Sequence, residues 1–240
     1  MTHSGSNATT LLYETEALQE AFAAIAHQWR QPLSYINALV GSIDNRLYEN
    51  GIDDPFIAKQ LLEIEKMTKE MSKSIDNYRG YFHTKNEKNN LKILFDAMKE
   101  ESIEYLLKEH AIDFDLQVDE SLDFVGDTAL FKEIIITLVN NAKDALVSRN
   151  IYKPFIKVSV WSENSYLFMK ICDNAGGMSR SVMQKIFEPD FTTKHHSEGT
   201  GLGLFMVKKL LDEKFNAEII VKNVESGVCF TLTFPRKENG

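Results

Sequence analysis

Apolar positions in the first third of the chain recur at alternating spacings of four and three residues. Leu18, Phe22, Ile25, Trp29, Pro32, Ile36, Leu39 and Ile43 form one series, and Ile57, Leu61, Ile64, Thr68, Met71, Ile75, Tyr78 and Phe82 a second. Two apolar positions per heptad mark a helix that lays a narrow seam against another helix. Asn50-Gly51-Ile52-Asp53-Asp54-Pro55 separates the two runs, with Asp54 placed to cap the second helix and Pro55 at its first position. The pattern predicts an antiparallel hairpin over 11–85. One hairpin cannot bury aromatic residues on both helices, so two copies forming a four-helix bundle, a homodimer, are expected. A hairpin packed on the rest of its own chain is the alternative.

The pattern then changes. Asn86-Glu87-Lys88-Asn89-Asn90 is polar and aperiodic and reads as a linker, leaving 91–237 as a second domain. Leu91 to Lys108 has helical spacing, Ile112 to Val118 alternates as a half-buried strand, and Asp127 caps an apolar helix running to Val147. Strands are expected around Phe155–Trp161 and Tyr166–Asp173, turned by Asn164-Ser165. A helix over Gly203–Phe215 follows, then strands Ile219–Val224 and Val228–Phe234, turned by Glu225-Ser226-Gly227. Helices alternating with blocks of mostly antiparallel strands predict an α+β sandwich, a mixed sheet with helices on one face.

Composition narrows the function classes. A net charge of −8 without a long basic run argues against nucleic acid or an anionic membrane as the main partner. No apolar run of membrane-spanning length occurs. Cys172 and Cys229 lie in apolar strand-like runs and read as reduced core thiols, which suits the cytoplasm. Met1 to Thr10 is small and polar and reads as a disordered leader.

Four stretches carry candidate chemistry. Asn140-Asn141-Ala142-Lys143-Asp144 interrupts an apolar helix with polar groups, and a carboxamide oxygen suits Mg²⁺, which draws most of its ligands from phosphates and water. Asp173-Asn174-Ala175-Gly176-Gly177-Met178 ends a strand with a carboxylate able to accept a purine amine, beside glycines that admit a base. Gly199-Thr200-Gly201-Leu202-Gly203 opens a helix, where freed amides and the helix dipole favour an anion. In the first domain, His27 falls opposite the apolar seam. Pro32 leaves the Gln28 carbonyl without its helical donor, so a local bend is expected.

Taken in order with Phe187-Glu188-Pro189-Asp190-Phe191-Thr192-Thr193-Lys194, these stretches resemble the sensor histidine kinases of two-component systems, over roughly Leu11 to Pro235. The resemblance implies ATP and Mg²⁺ as ligands and His27 as the phosphorylated residue, with Gln28 beside it in the catalytic stretch. It gives Asn141 to the metal, with Asp144 in the same cofactor-binding motif. Asp173 falls to the adenine amine, Gly177 to the base pocket, and Gly199, Gly201 and Gly203 to the phosphates. Phe187–Glu198 would form a mobile lid, on which Lys194, His195 and His196 lie. The implied partner is a response-regulator receiver domain, whose aspartate takes the phosphoryl group. Two positions depart from the family pattern. Gln28 stands where many relatives carry an acidic residue, and Thr137 stands where many carry an asparagine one turn before Asn141. The alternative these departures leave open is an ATP-binding scaffold of the same family that has lost catalysis. A chaperone-like or serine-directed ATPase would need no reactive histidine.

Overall fold

The computed structural model describes residues 29–80, 86–193 and 201–236, the side chains of 70 and 73–80 excepted. The chain divides between Thr84 and Lys85 into two compact units.

In the first unit, helix α1 covers 29–49 and α2 covers Pro55–Gly80. Asp54 caps α2 as its sequence predicts, its Oδ1 accepting the amides of Phe56 at 2.9 Å and Ile57 at 3.3 Å. The Thr68 hydroxyl donates to the Asn37 carboxamide oxygen. These two residues lie equally far from the intervening turn, so the helices run antiparallel. Leu33, Val40, Leu61 and Thr68 are buried. The heptad positions Trp29, Ile36, Leu39, Ile43, Ile64 and Met71 stay 37–56% exposed. His27, Gln28 and the carbonyl expected to lose its partner at the bend lie outside the described residues.

The second unit is α+β, as expected. Its elements are β1 (Asn86–Asn90), α3 (Leu91–Met98), α4 (Glu104–Lys108), β2 (Asp113–Val118), β3 (Asp123–Asp127) and α5 (Thr128–Ser148). They continue through β4 (Phe155–Glu163), β5 (Tyr166–Asp173), α6 (Arg180–Met183), α7 (Gly203–Leu210), β6 (Glu218–Asn223) and β7 (Val228–Pro235). Strands β2, β4, β5, β7 and β6 form one sheet in that order. Only the β2–β4 pair is parallel. Alternate residues Ile156, Val158 and Val160 on β4, and Leu167, Met169 and Ile171 on β5, are buried beneath the helices. Five phenylalanines, Phe95, Phe124, Phe131, Phe215 and Phe234, close the core at one end of this sheet, Phe124 and Phe131 lying 4.2 Å apart between ring centroids. β5 runs from Leu167, opposite Phe234, towards the other end.

Two expectations need correction. Residues 86–90 are a strand, not a linker. β1 pairs antiparallel with β3, Lys88 opposite Val125, and so belongs to the second unit. Backbone groups make this ladder, which is why no side-chain alternation announces it. Cys172 and Cys229 are not free thiols. They stand directly opposite on β5 and β7, Cα atoms 4.1 Å apart, and form a disulfide. That removes the ground on which the sequence pointed to a reducing compartment. The helices expected over Leu91–Lys108 and Gly203–Phe215 are present, each with a wider π-type turn, at Lys99–Ile103 and Leu211–Phe215. Among the described residues, no helix is long and apolar enough to cross a membrane.

Candidate functional site

Asp173 is where the alternation of β5 leads. Leu167, Met169 and Ile171 point into the core, so the next position in step carries its carboxylate into the same layer, where it is only 6% exposed. Burial raises its pKa above the ordinary carboxylate value, because the charged form loses water. The backbone amides of Ala175 and Val228 and the positive charge of Arg149 act in the opposite direction. The Ala175 amide donates to Oδ1 at 2.8 Å. A buried acceptor at a strand end, beside a glycine loop, is suited to a ligand that brings its own N–H donors.

The loop after Asp173 is fixed on several sides. The Asn174 carboxamide spans to the next strand, accepting from the Phe155 amide at 2.8 Å and donating to the Lys153 carbonyl at 3.0 Å. Gly176 has φ +83° and donates its amide to the Ser226 carbonyl at 2.9 Å. The turn between β6 and β7 approaches so closely that a Cβ at Gly227 would lie 1.9 Å from the Asp173 carbonyl oxygen. Arg149, at the end of α5, donates through Nη1 to the carbonyls of Ala175 at 2.7 Å and Gly177 at 3.1 Å. Asn223 brackets Met178, accepting from its amide at 2.9 Å and donating to its carbonyl at 2.8 Å. No motif singled out Arg149 or Asn223. Their contacts span 26 to 45 residues of sequence and become visible only with the sheet order.

α5 begins at Asp127, whose Oδ1 accepts the Leu130 amide at 3.0 Å, as its sequence predicts. The helix packs against both β5 and α7. The Thr137 methyl lies 3.4 Å from where a Cβ at Gly203 would stand, so this face of α5 meets the start of α7. Asn141, one turn on and half-buried, shares that face. Asp144 follows a further turn along, 3.2 Å from the Lys143 ammonium.

α3, α5 and α6 are capped by the side chains of Asn90, Asp127 and Ser179, whereas α7 starts at Leu202 without a side-chain cap. Gly201 before it has φ +69°, and a Cβ there would meet the Asp190 backbone at 2.5 Å. Glycine is therefore required for two reasons at this approach. The structure thus gathers Asn141, Asp173, Gly177, Gly201 and Gly203 on neighbouring elements of one unit. Gly199 and the part of the expected lid beyond Thr193, with Lys194, His195 and His196, lie outside the described residues. Among the described residues, no group of three or more His, Cys, Asp or Glu side chains is arranged to hold a metal.

Residues 126–238 match the family described as histidine kinase-, DNA gyrase B-, and HSP90-like ATPase. The two-component sensor PprA of Pseudomonas aeruginosa is 25% identical over 229 residues, which cover 91% of this chain. The signal transduction histidine-protein kinase AtoS of Escherichia coli is 27% identical over 93% of the chain. The chain spans 24% and 36% of those two proteins' own lengths. The crystallised catalytic domain of histidine kinase ThkA superposes with a TM-score of 0.56 at 26% identity, covering 63% of this chain and 96% of that domain.

Proposed function

We propose that the chain is a sensor histidine kinase, which autophosphorylates His27 from ATP and passes the phosphoryl group to an aspartate of a response-regulator receiver domain. The observation that carries the proposal is the buried carboxylate of Asp173, set at a strand end in a loop whose backbone is held rigid on three sides. A buried acceptor of this kind suits an exocyclic amine, and the glycine-opened start of α7 nearby is suited to phosphates. The residues present also fit Mg²⁺. A half-buried carboxamide suits an ion that keeps most of its ligands from phosphate and water.

In this reading Asp173 orients the base and Gly177 lines its pocket, while the amides at Gly199, Gly201 and Gly203 hold the phosphates. Asn141 would hold Mg²⁺ through its carboxamide oxygen, with Asp144 one turn beyond in the same motif, and the ion would supply charge neutralisation to the transferring phosphoryl group. His27 attacks through a ring nitrogen of its neutral imidazole. Gln28 orients the ring without taking its proton. The rest of the rate enhancement comes from positioning. Residues 11–85 form the dimerisation and phosphoacceptor domain. The exposed seam of Trp29, Ile36, Leu39 and Ile43 supports a homodimer, because a second copy offers the same seam in return.

Incubation with labelled ATP tests the proposal. Acid-labile, base-stable phosphate should appear on the wild type, be absent from His27→Ala, and move to a receiver domain added afterwards. Label of that chemistry on His27→Ala would refute the assigned site. ATP binding without any label would instead establish the scaffold reading that Gln28 and Thr137 leave open.

A further inference from the structure

Arg149 closes α5, and a cation there is ordinarily accounted for by the helix dipole. Its guanidinium is engaged elsewhere. Nη1 donates to two carbonyls, Ala175 and Gly177, which flank the left-handed Gly176. A Cβ at Gly176 would come within 3.1 Å of the same nitrogen, so the turn is wrapped around the guanidinium. Ala175 is consequently held at both ends, its amide by the Asp173 carboxylate and its carbonyl by Arg149. Any rotation of that residue turns the carboxylate with it. Ala175 is buried, so its carbonyl meets the guanidinium of Arg149 where an exposed loop would meet water. The guanidinium charge also opposes the effect of burial on Asp173 and favours the ionised, accepting form.

We propose that Arg149 is a positioning residue for base recognition: by holding the carbonyls of Ala175 and Gly177 it sets the orientation of the Asp173 carboxylate, and with it the preference for a purine that bears an exocyclic amine. This rests on the nucleotide-binding reading above. Asn223, bracketing Met178 from β6, fixes the far end of the same loop, so loss of Arg149 releases only the end that touches the carboxylate.

The test compares the full chain with Arg149→Met, which keeps the stem and removes the donors, and with Arg149→Lys, which returns a cationic donor. Each is titrated with ATP and with purine riboside triphosphate, which lacks the 6-amino group, at one Mg²⁺ concentration. The wild type should prefer ATP by about tenfold or more, as expected when one ligand leaves a buried acceptor unmet. Arg149→Met should lose most of that preference, through weaker ATP binding and little change for the other nucleotide, and Arg149→Lys should recover part of it. Equal weakening of both nucleotides would mark a merely structural residue and overturn the inference, as would no change at all. If Arg149→Met does not fold by circular dichroism, the Lys variant decides alone, an intermediate preference supporting the inference and a wild-type preference overturning it. A wild type that binds neither nucleotide overturns the nucleotide reading and this inference together, whereas one that binds both equally overturns the inference only.

Discussion

Gly227→Ala is the most demanding single test of the site's construction. The β6–β7 turn approaches the end of β5 so closely that the added methyl carbon would stand 1.9 Å from the Asp173 carbonyl oxygen, 2.6 Å from its carbon and 2.9 Å from the Asn174 Cα. All three are backbone atoms, so no side chain can swing aside. Either the turn or the strand end must move. Moving the turn breaks the Gly176-to-Ser226 hydrogen bond, and moving the strand end displaces the carboxylate. Overpacking of this kind costs about 1–3 kcal/mol. For a unit of this size that is a fall in melting temperature of roughly 3–10 °C. ATP affinity should fall about tenfold or more if about 1.4 kcal/mol of the displacement is felt by the bound base. Ser226→Ala is the matched control. It changes an exposed side chain in the same turn and leaves the carbonyl that accepts from Gly176 in place, so it should stay within about 0.5 kcal/mol of wild type. Thermal melts and ATP titrations on the three proteins are sufficient. A Gly227→Ala protein that melts and binds ATP like the control would refute the close approach of the turn to Asp173.

Burial raises the pKa of Asp173 above its ordinary 3.8, so the folded state binds that proton more tightly than the unfolded state does. Its contribution to stability is fully present below the unfolded value and is lost as the pH rises through the raised folded value. Asp173→Asn removes this slope, so the variant should gain on wild type in urea melts as pH increases while its ATP affinity drops about tenfold or more; an unchanged slope would contradict the assignment. Glu87→Pro removes a backbone donor from β1 opposite Gly126, in step with the Leu91-to-Leu122 hydrogen bond, and should cost about 1–3 kcal/mol in urea unfolding, where a linker would tolerate it. Reducing the Cys172–Cys229 bridge, which closes a separation of 57 residues, should lower stability by about 3–5 kcal/mol. Protein purified without reductant should take no alkylating label, and labelling of both cysteines in the native state would refute the pairing.

Where local pattern and packing coincide, the sequence is readable. The alternation Leu167, Met169, Ile171 foretells a buried Asp173, and Asp54 and Asp127 cap the helices their spacing announces. Local pattern fails where the determinant is a register. Asn86–Asn90 has no apolar alternation because its ladder to β3 is made by the backbone, and β3 itself is short and carries Gly126 pressed against the Phe124 ring. The disulfide was invisible for the same reason. A separation of 57 residues says nothing until β5 and β7 are known to be neighbours, and only then do Cys172 and Cys229 stand opposite each other. The pins on the glycine loop, Arg149 and Asn223, belong with it.

The two units also differ in how far one chain satisfies its own pattern. In the second unit the apolar positions of α5 are spent within the unit, Phe131, Ile134, Ile135 and Leu138 being wholly buried. In the first, the residues that the two helices bury between themselves include Leu33 and Val40, which lie off the heptad series, while Trp29, Ile36, Leu39 and Ile43 on that series stay open. α1 therefore carries two apolar stripes, one used within the chain and one left over. A helix with a single partner needs only one. The second stripe has a physical reason in the proposed bundle, where each helix touches two neighbours, one from its own hairpin and one from the other copy.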